Sequence, residues 1–265
     1  MNSILNIIIP NNNRILSITI KFLLILLLIL FPFGIIFMLR GLITENFFWV
    51  ASLYLSIIAV ISILYFVSIT EKITSIFFVG AIFILSTALE AIGLKTGHLF
   101  GEYYYSEYFI PFLPGSVPLA ITLSWLYIVI NSFLICRYLI PNPKNSFTIP
   151  ISAAFIILSF DIMLEPFGSF INKYWIWKNN FIPFQNFLTW FIMGFTFVYM
   201  LNRSIKFLPL NNFNIISLPS LLMIILILQF LIINLANGYW LYTLAGFLLM
   251  ISVIRTIKRK YKDAI

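Results

Sequence analysis

Long apolar segments separated by short polar ones run along the whole chain. The apolar windows predict eight membrane-spanning helices, at residues 16–39, 47–69, 73–94, 117–138, 147–165, 185–202, 215–234 and 239–255. A helix needs about 20 apolar residues to cross a bilayer, and most of these windows approach or exceed that length. The stretch 207–254 is uncharged, and it is divided at "NLANG" (234–238), which has turn chemistry. The last window is short, so a count of seven spans stays open.

This pattern predicts an all-α fold, a polytopic transmembrane helix bundle that forms a single domain over residues 1–265. Transmembrane barrels instead show alternating segments of about ten residues. Unbroken apolar runs such as "FLLILLLILFPFGIIFML" (22–39) exclude a barrel. No small-x-small cleavage site follows the first apolar stretch, so we interpret it as a retained span and not as a signal peptide.

Composition and charge support a multi-pass protein of the cell membrane. The chain is 62% hydrophobic and 9% charged, whereas a soluble domain has about 25% charged residues. With eight spans, twelve basic residues fall on the side of the two termini and four on the other side. The positive-inside rule then predicts that both termini are cytoplasmic. We interpret the basic tail "RTIKRKYKDAI" as a segment near anionic lipid and expect no nucleic-acid partner.

Cysteine and histidine are too scarce for the usual metal and disulfide chemistry. The chain has one cysteine, Cys136, and one histidine, His98. A disulfide framework or a site built from several Cys or His ligands therefore cannot form. The sequence also lacks a phosphate-cradling or dinucleotide-binding motif. We expect no metal and no cofactor.

Acidic residues collect near one predicted membrane interface: Glu90, Glu102, Glu107, Asp161 and Glu165. Spans three and five run in the same direction, so Glu90 and Asp161 are predicted to lie at similar depth near their outer ends. Asp161 and Glu165 are four residues apart and therefore share a helix face. A carboxyl group at membrane depth is costly and normally faces the bundle interior at a functional site. This pattern predicts an acid site between the two spans.

A structural interpretation of these acids stays open. They could pair with Lys95, Lys173 or Lys178 at the interface and only fix the helix ends. We favour a functional role for Glu90 and Asp161 and leave both interpretations open for Glu165 and Glu102.

The stretch "EAIGLKTGHLFGEYYY" (90–105) adds a lone histidine and three glycines. Gly93, Gly97 and Gly101 are spaced by four, as in closely packed membrane helices, and predict that span three continues past Glu90 with a flat glycine face. His98 lies close in sequence to Glu90 and is a candidate for proton handling. Its alternative role is to anchor the interface.

Aromatic residues are dense in two segments on the predicted outer side, "YYYSEYF" (103–109) and "YWIWKNNFIPF" (174–184). They fit an interfacial belt or a box of π faces around a cation. Pro111, Pro114 and Pro118 predict an irregular or re-entrant segment over 107–118. At membrane depth such backbone is tolerated where it lines a cavity.

Four blocks in order resemble the integral-membrane carotenoid biosynthesis proteins, the carotenoid 1,2-hydratase family. The first is E-x-x-G-x-x-x-G-x-x-F-G-x-Y-x-Y at residues 90–105, followed by "GSVPLAITLSW" (115–125). Then come "DIMLEPFGSF" (161–170) with "YWIWKNN" (174–180), and "IPFQNFLTW" (182–190). The resemblance covers about residues 70–205. The proline of the third block follows Glu165 instead of Asp161, so the choice of catalytic acid stays open between these two.

The resemblance implies hydration of a terminal double bond in an acyclic carotenoid, with an end group like that of lycopene, γ-carotene or a bacterioruberin precursor. An acid protonates the alkene, and water adds to the tertiary carbocation. This needs a carboxylic acid that keeps its proton, which apolar burial and a neighbouring carboxylate favour. A polyene can cross a hydrocarbon layer about 30 Å thick with its end at an interface. Expected partners are the carotenoid, the bilayer and other enzymes of carotenoid biosynthesis.

The family-based hypothesis assigns roles to particular residues. Asp161 and Glu90 form the acid/base pair, and Glu165, Glu102 and His98 tune the acids or orient water. The residues expected to bind substrate are Lys95, Tyr103, Tyr105, Trp125, Trp175, Trp177, Asn186 and Trp190. Tyrosine and tryptophan faces can stabilise a cation without attacking it.

Three alternatives remain. A carotenoid cyclase uses the same protonation, but an internal alkene captures the cation. A transporter would use the carboxylates for protons or cations, and inverted repeats would be expected. A pigment-binding scaffold would not need carboxylates at membrane depth.

Overall fold

A computed structural model describes residues 14–140, 143–208 and 217–263. Within these ranges lie eight α-helices: α1 Arg14–Leu39, α2 Phe48–Ile69, α3 Lys72–Thr96, α4 Leu119–Leu139, α5 Thr148–Glu165, α6 Phe184–Ser204, α7 Ser217–Ala236 and α8 Trp240–Asp263. The predicted all-α bundle is confirmed. Apart from the starts of α1 and α7 and the end of α8, which coincide with limits of the described ranges, each boundary falls within two residues of its predicted place. The first two residues of the predicted seventh span, 215 and 216, lie outside the described residues.

Seven helices of the described chain are long and apolar enough to cross a bilayer. The remaining helix, α8, begins at Trp240 and has its first charged residue at Arg255, so its uncharged part is shorter than the ~20 residues that a perpendicular span needs. The question of seven or eight spans is therefore confined to α8. The chain is a multi-pass membrane protein.

Helix α4 lies at the centre of the bundle. Every residue from Ser124 to Cys136 is buried, as expected for a helix that is apolar on all sides. It packs against α2, α3, α5, α6 and α7. Helix α1 is peripheral by comparison: it packs on α2 and α7, and its buried residues all lie between Ser17 and Leu27.

Two connections meet at one end of the bundle. Strand β1 (Tyr103–Tyr105), which follows α3, pairs antiparallel with β4 (Trp175–Trp177), which follows α5. The predicted irregular segment contains a small hairpin of β2 (Phe112–Leu113) and β3 (Val117–Pro118). At the other end, Thr70 after α2 pairs with Phe207 after α6. Alternate connections thus share an end, as the predicted topology requires.

Helix α3 continues past Glu90 to Thr96, as predicted. The predicted glycine face was wrong, because Gly97 and Gly101 lie beyond the end of the helix. Helix α3 ends at Thr96 because Gly97 adopts a left-handed conformation with φ of 69°, which is a common helix-terminating geometry for glycine. The chain then folds back on itself. A Cβ atom at Gly93 would lie 2.5 Å from the Phe100 ring, so this glycine gives room to a residue of the returning chain.

Candidate active site

The β1–β4 ribbon carries four aromatic side chains to one place. Tyr103 pairs with Trp177, and Tyr105 pairs with Trp175. Successive side chains of a strand point to opposite faces, so these four residues share one face of the ribbon. Tyr104 lies on the opposite face and is exposed. The pairing of two segments 70 residues apart therefore builds a single aromatic wall.

A wide helical turn places β4 directly over the end of α5. The chain continues after Glu165 as a π-helical turn, Pro166–Ile171, a geometry often found at functional sites. Trp175 occupies the space of a missing side chain, because a Cβ at Gly168 would lie 1.8 Å from its ring. The Tyr174 N–H also donates to the Gly168 carbonyl at 2.8 Å. Gly168 is therefore required for the close crossing of strand and turn.

The Glu90 carboxyl receives three hydrogen bonds from aromatic side chains. Tyr103 Oη and Tyr105 Oη donate to Glu90 Oε2 at 2.6 and 3.0 Å. Trp125 Nε1 on the central helix donates to Glu90 Oε1 at 3.0 Å. Both carboxyl oxygens are thus fixed by β1 and α4.

Glu165 and Asp161 are joined through one amide. Asn186 Nδ2 donates to Glu165 Oε1 at 2.9 Å and to Asp161 Oδ2 at 3.1 Å, which uses both protons of the amide group. Trp175 Nε1 and Trp177 Nε1 donate to Glu165 Oε2 at 3.1 and 2.9 Å. Glu165 therefore has three donors, whereas Asp161 has one donor, Asn186, among the residues that the structure describes.

The three carboxyl groups line one small cavity of about 30 Å³. Glu90, Asp161 and Glu165 are each at most 2% exposed. The lining residues are Glu90, Phe100, Tyr103, Tyr105, Ile121, Ser124, Asp161, Leu164, Glu165, Trp175, Trp177, Asn186 and Trp190. The predicted convergence of spans three and five is confirmed. A water molecule needs roughly 10–15 Å³ of such space, so this acid cavity has room for about two waters.

The electrostatics of the acid cavity are set by neutral donors. No lysine, arginine or histidine is among its lining residues. A buried charge without a counter-charge is costly unless hydrogen bonds satisfy it. Burial and then the charge of Glu90 raise the pKa of Tyr103 and Tyr105 well above the usual value. Both hydroxyls therefore keep their protons and serve Glu90 as donors.

Two further aromatic contacts close the wall of the acid cavity. Trp125 stacks on Trp190 with ring centroids 3.9 Å apart and planes at 19°. Tyr103 lies against Trp177 with centroids 5.0 Å apart. Flat π faces therefore surround the carboxyl groups from α4, α6 and the ribbon.

Three predicted residues lie elsewhere. Glu102 pairs with Lys178 at 2.5 Å, and both side chains are more than half exposed. His98 and Lys95 are exposed, and neither lines the acid cavity. Lys95 instead borders shallow grooves on the outer surface.

The sequence interpretation missed several lining residues: Phe100, Ile121, Ser124 and Leu164. Phe100 was noted only as part of the first block. Ile121 and Ser124 precede Trp125 by four and one positions on α4, so helical spacing from Trp125 was the available signal for Ile121.

A second, larger cavity adjoins the acid cavity. It has a volume of about 320 Å³ and is lined almost entirely by apolar side chains of α1, α2, α4, α5 and α7. Four residues line both cavities: Ile121, Ser124, Leu164 and Trp175. A thin wall therefore separates a polar space from an apolar one. Within the described chain, no group of three or more His, Cys, Asp or Glu side chains is arranged to hold a metal ion.

Comparisons with known proteins agree with the resemblance seen in the sequence. A family described as "Carotenoid biosynthesis protein" matches residues 48–253. A bisanhydrobacterioruberin hydratase of Haloarcula japonica is 29% identical over 118 residues, which are 43% of this chain and 40% of that protein. The chain thus spans less than half the length of this relative. No solved structure matches the chain significantly.

The family match is wider than the 70–205 expected from the sequence blocks. It also includes α2, α7 and part of α8. These helices are apolar throughout most of their length and contain none of the four sequence blocks that carried the resemblance. The matched range also contains every residue of the acid cavity. The chain belongs to the carotenoid biosynthesis protein family.

Proposed function

We propose that the protein is a carotenoid hydratase, a hydro-lyase that adds water to the terminal C1–C2 double bond of an acyclic carotenoid. The family and the name of the Haloarcula relative support this activity. The observation that carries the proposal is the acid cavity itself. Three buried carboxyl groups and a wall of π faces surround a space the size of about two waters.

Asp161 is the proposed acid. Three carboxyl groups in one buried cavity without a basic residue cannot all be ionised at low cost, because like charges there repel and lack solvent. Within the described part of the chain, Glu90 and Glu165 each receive three hydrogen bonds, a pattern suited to a carboxylate, whereas Asp161 receives one, from Asn186. Asp161 is therefore the group best suited to hold and release the proton.

The reaction then has three steps that balance. The Asp161 proton adds to the alkene carbon C2, and the π electrons form the new C–H bond, which leaves a tertiary cation at C1. Water attacks C1 through oxygen while Glu90 accepts one of its protons. That proton returns to Asp161, so one water is consumed for each tertiary alcohol formed. Positioned acids and bases of this kind contribute about 10²–10⁴-fold each.

The aromatic wall stabilises the cation. Trp, Tyr and Phe faces attract cations, with a gain of about 2 kcal/mol or more in a desolvated setting. Trp175 and Trp177 are tied to Glu165 by their N–H groups, and Tyr103 and Tyr105 are tied to Glu90. Glu165 thus acts as a positioning residue that holds two indole rings and the Asn186 amide.

The proposed setting is the cell membrane. A carotenoid is soluble in the hydrocarbon layer, and water reaches the outer end of the bundle. Other enzymes of carotenoid biosynthesis are proposed partners, because substrate and product stay dissolved in the same bilayer.

Pigment analysis in a lycopene-producing bacterium tests the activity. Expression of the chain should give a product heavier than lycopene by one water, and the Asp161→Asn variant at equal abundance should give none. An isomer of unchanged mass would show a cyclase, which shares the protonation step. Unchanged lycopene, together with unchanged acyclic carotenoids that carry other end groups, would refute the proposal.

A further inference from the structure

The apolar cavity next to the acid cavity has one wall that is formed by a sparsely packed part of helix α1. Helix α1 contributes Leu30, Phe33, Gly34, Phe37 and Met38 to this wall. All the buried residues of α1 lie earlier, between Ser17 and Leu27. The half of α1 that lines the cavity is therefore the half with the fewest buried contacts.

Pro32 weakens the same half of α1. Proline has no N–H, so the hydrogen bond to the carbonyl of residue 28 is absent inside the helix. Such positions are the usual places where a helix bends. The lining part of α1 can therefore move relative to its packed part at small cost.

The mouth of the apolar cavity faces the lipid between α1 and α2. Phe33, Phe37, Trp49 and Leu53 line the cavity and are each about half exposed. These side chains lie on two membrane-spanning helices, so their exposed surface meets hydrocarbon. An apolar molecule dissolved in the bilayer reaches the cavity without crossing water.

We propose that this cavity binds the polyene chain of the substrate behind its reacting end group, and that the chain enters sideways from the lipid between α1 and α2. The inference rests on the proposed function. A volume of about 320 Å³ lies within the roughly 300–1,000 Å³ common for ligand pockets. The acid cavity of about 30 Å³ admits water but no polyene. The end group must therefore approach through the shared wall at Ile121, Ser124, Leu164 and Trp175.

Gly34 offers a way to close the cavity. The nearest atom to a Cβ built there is Gln229 Nε2 at 3.9 Å, so a larger side chain has room to enter the cavity. Gly80 on α3 has no neighbour within 4 Å of a built Cβ and does not line the cavity. Gly34→Phe and Gly80→Phe therefore form a matched pair of glycine substitutions inside membrane helices.

Hydration rates with two chain lengths test the proposal. The probes are lycopene and a short acyclic terpene alkene with the same end group. Gly34→Phe should lower kcat/KM for lycopene at least tenfold relative to Gly80→Phe and change it less than threefold for the short alkene. Equal lycopene rates in the two variants would overturn the proposal, as would an equal loss for both probes.

Polyene binding separates this proposal from the hydratase activity. The absorption spectrum of lycopene added to the protein in lipid nanodiscs reports binding without turnover. Wild-type and Asp161→Asn proteins should both shift the spectrum, and Gly34→Phe should not. If the wild type binds lycopene but does not hydrate it, only the proposed hydratase activity is refuted. If Gly34→Phe binds lycopene as the wild type does, only the proposed polyene site is refuted.

A different observation concerns polar atoms in the same apolar wall. Gln229 Oε1, Tyr54 Oη and Tyr174 Oη are buried and have no hydrogen-bond partner among the described residues. Gln229 is 4% exposed, and its amide nitrogen lies 3.7 Å from Met38 Sδ. A buried acceptor left without a donor is costly. All three residues line the apolar cavity, so its occupant is expected to bring a hydrogen-bonding group.

We infer that a hydroxyl group donates to Gln229 Oε1 when the cavity is filled. The hydroxyl belongs either to the polyene of the substrate or to a water bound beside the polyene. A substitution at Gln229 separates these two sources. Gln229→Met keeps the side-chain length and removes the acceptor. Ser220→Ala is the control, because Ser220 is another unpartnered buried residue of α7 that does not line the cavity.

The test compares two acyclic carotenoids that differ by one hydroxyl on the part of the polyene behind the reacting end group. If the hydroxyl belongs to the polyene, the wild type should prefer the hydroxylated carotenoid at least tenfold in kcat/KM, since a site built for a hydroxyl discriminates strongly. Gln229→Met should then lose this preference. A bound water predicts that Gln229→Met slows both chains equally while Ser220→Ala slows neither. Unchanged rates for both chains in Gln229→Met would overturn the inference.

Discussion

Two groups of ionisable residues occupy the same end of the bundle, and they differ in burial and in the partners that they contact. Glu90, Asp161 and Glu165 are buried and receive hydrogen bonds from neutral aromatic and amide donors. Glu102 and Lys178, only a few residues away in sequence, form an exposed ion pair. The buried acids face a cavity and the exposed pair faces solvent. Charge near a membrane interface therefore does not by itself identify a reactive group.

Strand alternation explains the difference. Glu102 and Tyr104 point away from the cavity, whereas Tyr103 and Tyr105 point into it, as a period of two requires. On α3, Lys95 is five residues from Glu90 and so lies on a different helix face. Glu102 and Lys95 are therefore kept apart from Glu90 by backbone geometry.

The largest expected effect comes from Asp161→Asn. The variant keeps the shape of the side chain and an oxygen that accepts from Asn186 but removes the proton donor, so hydration should fall about 10²–10⁴-fold. Product formation per mole of purified protein measures it, and circular dichroism checks the fold. A rate within threefold of the wild type would remove Asp161 from the mechanism.

Glu90→Gln should have the next largest effect, a loss of about 10²-fold in rate. It should also lower stability by roughly 1–3 kcal/mol, because the new amide nitrogen cannot accept the hydrogen bonds that reach both oxygens, and one donor is left unpaired. Thermal unfolding in detergent and the hydration rate are the two measurements. A variant with full activity would break the proposed division between acid and base.

Gly168→Ala should displace Trp175 without touching any carboxyl group. The added methyl occupies the position of the indole ring, and overpacking of this kind costs about 1–3 kcal/mol. Lower thermal stability and an altered tryptophan emission spectrum are expected. Activity should fall by at least about tenfold, because a small displacement of a group that positions the substrate has a large effect on rate. Gly80→Ala is the control, and equal behaviour of the two variants would contradict the account of the turn.

The sequence predicted the bundle because long apolar windows fit few structures other than membrane-spanning helices, and the ends of the windows predicted helix boundaries such as those of α2 and α5. The order and direction of the spans also predicted that Glu90 and Asp161 lie at a similar depth. The sequence did not predict that β1 pairs with β4, because a three-residue strand has no periodicity to detect and the pairing joins residues far apart in sequence. It likewise missed the left-handed turn at Gly97, since spacing by four is common to helix faces and to folded-back loops.

Tyr103→Phe should have a smaller effect. It removes one of the three donors to Glu90 and keeps the π face, and a single buried hydrogen bond contributes about 1 kcal/mol, or roughly fivefold in rate. Steady-state hydration kinetics measure the change. Tyr104→Phe on the outer face of the same strand should leave the rate unchanged, and an equal loss in both variants would contradict the alternation of faces.

The smallest effect is expected from Glu102→Gln. The ion pair with Lys178 is exposed, and such pairs are worth about 0–1 kcal/mol. Hydration should stay within about twofold of the wild type, and His98→Gln should behave alike because His98 is also exposed. A loss above tenfold in either variant would show that the exposed group takes part in the reaction.

Incorporation of isotopically labelled water tests the central claim most directly. Purified protein in lipid nanodiscs is incubated with an acyclic carotenoid in water enriched in heavy oxygen, and the pigments are analysed by mass spectrometry. The wild type should place one heavy oxygen in each hydrated end group, and Asp161→Asn should place none. Labelled product from Asp161→Asn at the wild-type rate, or a product without new oxygen from the wild type, would contradict it.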